Sequence, residues 1–238
     1  DFMIELGIAI DGGKDSLSMA TKVGQEIVKS PSELVVSAYA PVPDINKIIT
    51  PDIKKPGQSN LWFLDLGMGN YRLGGSALAQ ILKQIGNTSP DMRQSEILIK
   101  TFQAIQQMID EEVILAGHDR SDGGLITTIL EMAFAGNCGL EIESDISAAT
   151  DLEYYFNEEI GLVVEIDTEK TDRFQEIIGK YDLVDYTYNL GKTLIEPQVI
   201  ITHNQKVVLD QPIQDLRQLW QETSYQLEKL QTDPDCAS

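Results

Sequence analysis

The chain reads as a mixed protein of strands and helices. Short apolar runs of strand length stand out, residues 61–66 (LWFLDL) and 161–166 (GLVVEI) most clearly. Between them lie segments whose apolar residues recur at helical spacing, 95–110 and 216–230 among them. With 238 residues, 42% hydrophobic and 24% charged, the chain can bury one large core or two smaller ones.

In order, 2–10 predicts a strand leading into Asp11-Gly12-Gly13-Lys14-Asp15-Ser16. That loop lacks the G-x-x-x-x-G-K-[ST] spacing of a P-loop, and alone it reads as a turn with solvated charges. Residues 34–40 (LVVSAYA) predict a second strand. Pro41, Pro43, Pro51 and Pro56 mark a link between two subdomains. After the strand at 61–66, Gly74-Gly75-Ser76 opens a helix over 77–85 and is either a simple cap or an anion cradle. Leu78, Ile81, Leu82 and Ile85 share one side of that helix. The helix at 95–110 offers Ile97, Leu98, Phe102, Ile105 and Ile109 as its core face.

The most informative stretch is 113–140, VILAGHDRSDGGLITTILEMAFAGNCGL. A buried strand (113–116) runs into a polar turn, then a helix over 125–134 that Gly136 and Asn137 stop. Ser121 and Asp122 stand where helix caps belong, ahead of two glycines. Such a helix start presents unpaired amides that favour phosphate, and Asp119 and Asp122 are hard oxygen ligands suited to Mg²⁺. Capping residues and a Gly-Gly turn alone would also account for the pattern.

Downstream, strands are predicted at 140–142, 161–166, 183–190, 197–202 and 207–209, and helices at 151–156, 168–181 and 216–230. The last has Leu216, Leu219, Trp220, Leu227 and Leu230 as an apolar stripe of the core-packing kind. Glu158 and Glu159 resemble an acid pair, but a solvated turn is the simpler reading.

A net charge of −20 argues against nucleic-acid and anionic-membrane partners. Cys138 and Cys236 form no metal or disulfide pattern, and no apolar run crosses a bilayer, which fits the cytoplasm. The opening at Asp1, without Met, reads as a piece of a larger polypeptide.

Four blocks, GGKDSLSMAT, LGGSALAQ, GHDRSDGGL…LEMAFAGNCG and FNEEIG, carry a family resemblance. The chain resembles the second synthetase half of the large, multidomain phosphoribosylformylglycinamidine synthases. These use ATP and glutamine-derived ammonia to convert formylglycinamide ribonucleotide to its amidine in purine synthesis. The resemblance implies an α+β fold of the aminoimidazole-ribonucleotide-synthetase kind, with a mixed sheet covered by helices. Residues 1–57 would end a first subdomain and 58–210 form a second. Residues 211–238 would make a connector helix and tail toward a glutaminase domain.

The site residues implied are Gly13 on ATP or ADP, Ser16 on the ribonucleotide, Asp119 on Mg²⁺ and Ser121 on the nucleotide phosphates. Lys14 stands where small forms carry a metal-binding Asn; it suits a phosphate rather than a metal. The upstream Glu-x-x-x-Asn stretch, the first synthetase half and the Cys-His-Glu glutaminase triad are not in this sequence. The segment alone is therefore expected to be inactive, its partners being the rest of the same polypeptide. Alternatives are a nucleotide-bound scaffold without chemistry, or another ATP-dependent member of the fold. His118 reads as a buried, backbone-bonded residue rather than an acid or base.

Overall fold

The computed structural model describes residues 1–14, 18–29, 35–144 and 149–232. It divides into two units, Asp1–Asn46 and Lys47–Ser238. In the first, a short helix α1 (Phe2–Glu5) precedes an antiparallel hairpin of β1 (Ala20–Val23) and β2 (Glu26–Lys29). The helix replaces the strand expected over 2–10: the Glu5 and Leu6 amides bond the Asp1 and Phe2 carbonyls at 3.0 Å. A short apolar run has no period that separates the two states, and no described strand pairs with it. Residues 35–40 form no strand, and Leu34 lies outside the described residues. Sequence reasoning misses the hairpin, whose signal is Gly24 at φ +64° within KVGQEI.

The second unit is a seven-stranded sheet built from β3 (Ser59–Asp65), β4 (Ile114–Asp119), β5 (Gly139–Ser144), β6 (Gly161–Asp167), β7 (Thr187–Leu194), β8 (Gln198–His203) and β9 (Lys206–Pro212). The order is β4-β6-β3-β7-β5-β8-β9. Only β5 and β8 pair in parallel, so the sheet is mixed. Its helices are α2 (Ala77–Ile81), α3 (Ser95–Asp110), α4 (Gly124–Gly136), α5 (Asp151–Phe156), α6 (Thr171–Lys180) and α7 (Ile213–Gln231).

Strand alternation builds two cores, one on each face. Leu61 and Phe63 of β3 meet Leu125, Ile129 and Met132 of α4, with Tyr154 of α5 and Ile213 of α7. Trp62 and Leu64 point the other way, onto Ala104 and Met108 of α3 and Phe174 and Ile177 of α6. Both faces of β3 are covered, which is why LWFL shows no polar alternation. This is the α+β arrangement of a mixed sheet covered by helices.

Several expected packing faces differ. α2 stops at Ile81, because Lys83 and Gly86 take φ of +56° and +78° and fold the chain back. The Gly75 and Gly74 amides then reach the Ile85 and Thr88 carbonyls at 2.7 and 2.8 Å, leaving Ile81, Leu82 and Ile85 exposed. In α3 the buried stripe is Thr101, Ala104 and Met108 with Ile97 and Ile105 beside it. Phe102 falls off that stripe and is 64% exposed. α7 buries only Ile213 and packs Leu216; Leu219, Trp220, Leu227 and Leu230 are exposed. Among the described residues no helix is long and apolar enough to cross a membrane.

Candidate functional site: the turn between β4 and α4

β4 runs further than its apolar start suggests, carrying His118 and Asp119 in register with Val163 and Leu162 of β6. The polar turn therefore begins at Arg120. The helix cap is Gly123, at φ +87°, rather than Ser121 or Asp122. Gly124 follows at φ +75°, and a Cβ there would lie 2.7 Å from the Asn157 oxygen. Two left-handed positions in succession and that close approach account for the Gly-Gly pair.

Asp119 is fixed by its backbone, and its carboxylate is largely exposed. Its carbonyl accepts from Thr128 Oγ1 at 3.1 Å and lies 2.8 Å from His118 Nδ1. The carboxylate, 75% exposed, has His118 Nδ1 at 3.3 Å. His118 Nε2 lies 3.0 Å from Glu131 Oε2, and Glu131 Oε1 accepts from Trp220 Nε1 at 3.1 Å. Both atoms facing the ring are acceptors, so both bonds form together only when each ring nitrogen carries a proton, or when Glu131 itself is protonated. The expected backbone bond of His118 is present, but the ring is 19% exposed rather than buried, because β4 carries it to the end of the strand. Glu131 and Trp220 are additions that no sequence spacing announces.

Arg120 turns inward from the same turn. Its Nε donates to the Glu159 carbonyl at 2.5 Å, and one terminal nitrogen donates to Asp65 Oδ1 at 2.8 Å and the Ile160 carbonyl at 3.1 Å. The guanidinium also lies 4.8 Å over the Phe63 ring.

The FNEEIG segment organises the surroundings, and the solvated-turn reading of its acids is corrected. Glu159 is 2% exposed and grips Arg72 through both oxygens, at 2.5 and 2.7 Å. One Glu158 oxygen accepts from the Gly123 amide at the start of α4 and the Ala77 amide at the start of α2, each at 2.8 Å. Both stretches predicted as anion cradles thus share an anion of the chain itself. The Gly123 amide is not unpaired as the sequence suggested, because a loop 35 residues away supplies its acceptor. In the turn ahead of it, Ser121 and Asp122 are exposed.

Among the described residues no three His, Cys, Asp or Glu side chains group to hold a metal. Asp119 fits as one ligand of a Mg²⁺ that takes one or two carboxylates and fills its shell with phosphate and water. Gly13 and Lys14 are exposed in the first unit, in a stretch without regular structure, and Ser16 lies outside the described residues. A cavity of about 290 Å³ beside Asp65 is lined by Tyr71, Tyr154, Tyr186 and Asp185, and neither lysine nor arginine among the described residues lines it. Burial, aided by the Glu165 charge, pushes the Cys138 thiol up to about 12, so it is no nucleophile.

Known proteins resemble this chain in sequence and in fold. A family described as AIR synthase related protein, C-terminal domain, matches residues 66–203, and one described as FGAR-AT PurM_N-like domain matches 1–41. The human phosphoribosylformylglycinamidine synthase is 44% identical over 99% of this chain, which spans 18% of that relative. A probable chloroplastic/mitochondrial phosphoribosylformylglycinamidine synthase of Arabidopsis thaliana is 45% identical over 98% of this chain, 17% of its own length. Among solved structures, T. maritima PurL complexed with FGAR aligns with a TM-score of 0.56 at 17% identity, over 72% of this chain and 30% of that one. The same protein complexed with ATP gives 0.54 at 18% identity, over 71% and 27%. These two likenesses show the fold.

Proposed function

Because the chain belongs to the AIR synthase related protein family, we propose that it is a working segment of an ATP-dependent ligase that forms formylglycinamidine ribonucleotide. The supporting observation is 44% identity, along 99% of the chain, to a phosphoribosylformylglycinamidine synthase. In this reading the polypeptide containing the segment converts formylglycinamide ribonucleotide to its amidine with glutamine-derived ammonia, in the cytoplasm. Residues 1–57 end one synthetase subdomain, 58–210 form the next, and 211–238 lead toward a glutaminase domain.

Within the segment, Asp119 holds Mg²⁺ and Ser121 contacts the phosphates of ATP or ADP. The metal supplies charge neutralisation for those phosphates. The chain's own part is to fix the Asp119 carbonyl and present its carboxylate outward. Gly13 and Lys14 belong to a nucleotide-binding loop, and Ser16 to the ribonucleotide site facing the catalytic half. The Asp119 nucleotide is auxiliary, retained for structure.

Asp119→Asn in the intact polypeptide tests the reading. Bound nucleotide and thermal stability should both fall, since a ligand at 100 times its Kd stabilises the native state by about 2.7 kcal/mol. Unchanged nucleotide content and melting temperature would overturn the assignment. Ser16→Ala should instead lower turnover or substrate affinity and leave that nucleotide in place.

A further inference from the structure

We infer that helix α7 positions the Asp119 turn through a relay of side-chain hydrogen bonds, with Glu131 and Trp220 as its positioning residues. The inference rests on the reading of Asp119 as a metal ligand. Three elements are joined in sequence. Trp220 of α7 donates to one Glu131 oxygen at 3.1 Å, and the other meets His118 Nε2 at 3.0 Å. His118 Nδ1 closes on the Asp119 carbonyl at 2.8 Å.

Each link removes a freedom that the next one needs. An indole N–H only donates, so Trp220 holds one Glu131 oxygen toward α7 and thereby fixes the rotation that aims the other at the histidine. That orientation sets the imidazole plane, and the imidazole holds the Asp119 carbonyl, and with it the backbone that bears the exposed carboxylate. Without the relay the carbonyl still has the Thr128 hydroxyl but loses the imidazole. Glu131 sits mid-helix on α4, 29% exposed, where an acid has no capping role to explain it.

α7 is attached to α4 separately as well. Arg217 donates to the Phe134 carbonyl at 2.5 Å and to Asn137 Oδ1 at 3.2 Å, at the end of α4 away from Asp119. This second attachment supplies a comparison: Arg217 shares the Phe134 ring with Trp220 but is not itself a member of the hydrogen-bonded relay.

The experiment measures Mg·ADP affinity by calorimetry on the intact polypeptide, with melting temperature recorded for every variant. Glu131→Ala should weaken binding about 10-fold, the low end for a residue that orients a metal ligand from outside its shell. Glu131→Gln, whose amide still accepts from Trp220 and donates to a neutral His118, should restore most of the affinity. Trp220→Phe should weaken binding in the same direction as Glu131→Ala. Arg217→Gln should lower the melting temperature and leave affinity within about 2-fold, because it leaves the oriented ligand intact. In protein carrying 5-fluorotryptophan, the ¹⁹F resonance that Trp220→Phe deletes should shift on Mg·ADP addition.

If Asp119→Asn weakens binding and Glu131→Ala does not, the relay is wrong and the site reading stands. Equal losses in Glu131→Ala and Arg217→Gln would reduce the relay to general docking of α7 and overturn it. Unchanged binding in Asp119→Asn would remove the site reading and the relay together.

Discussion

Arg120 stands between the exposed Asp119 and Ser121, yet it serves the fold rather than a ligand. Its guanidinium is buried against Asp65, two carbonyls and the Phe63 ring. Removing one partner of a buried pair strands the other charge, so Arg120→Met should destabilise the chain by about 3–5 kcal/mol. Urea denaturation measures this, and Asp65→Asn added to Arg120→Met should recover part of the loss. A single replacement costing well under 1 kcal/mol would mean that water reaches Asp65. The motif HDRSDGG marks this turn in the sequence, but not which of its charges faces inward. Contacts with Asp65 and Ile160 are 55 and 40 residues away, and no local spacing encodes them. Glu158 is similar: its role depends on two helix starts brought together by the sheet.

Helices α3 and α6 show what periodicity reveals and what it leaves open. The bounds of α3, 95–110, are legible because the apolar residues recur at helical spacing over several turns. Its buried face is not, since choosing between Phe102 and the Thr101–Ala104–Met108 stripe requires knowing where α6 lies. Strands buried on both faces, such as β3, are found as apolar runs, whereas the exposed hairpin of β1 and β2 offers no such run. Between α3 and α6 the bond is a clasp: Arg173 donates to both Glu111 oxygens at 2.8 and 2.9 Å. That contact, with a further hydrogen bond from Gln107, holds the Glu111 carboxyl down at about 2 from an ordinary 4.5. A folded-state value below the unfolded one stabilises fully above pH 4.5, and the gain is lost as pH falls toward 2. Glu111→Gln should therefore lower the urea midpoint near neutrality, with the difference from the parent closing between those two values. A gap that stays constant down to pH 2 would show that the clasp acts through packing rather than charge.

At the scale of the whole molecule, the chain combines a net charge of −20 with an outward-facing carboxylate, Asp119, at the β4–α4 turn. Amidine formation requires an ATP site that activates an amide oxygen, a place for the ribonucleotide and a source of ammonia. Each transition state builds charge on phosphate, which needs preorganised donors or metal around it. Here the Gly123 amide is already bonded to Glu158, and the described residues group no three metal-binding side chains. A net charge of −20 works against a triphosphate unless metal or further donors offset it. The 238-residue chain by itself should therefore form no amidine from Mg·ATP and formylglycinamide ribonucleotide, even with ammonium in place of glutamine. The rest of the polypeptide, supplied as separate segments under the same conditions, should restore turnover as the complex assembles. Product can be followed by mass spectrometry and ADP release by a coupled assay, each with substrate omitted as the blank. Substrate-dependent amidine from the isolated chain would overturn this reading and make the turn at Asp119 a catalytic centre in its own right.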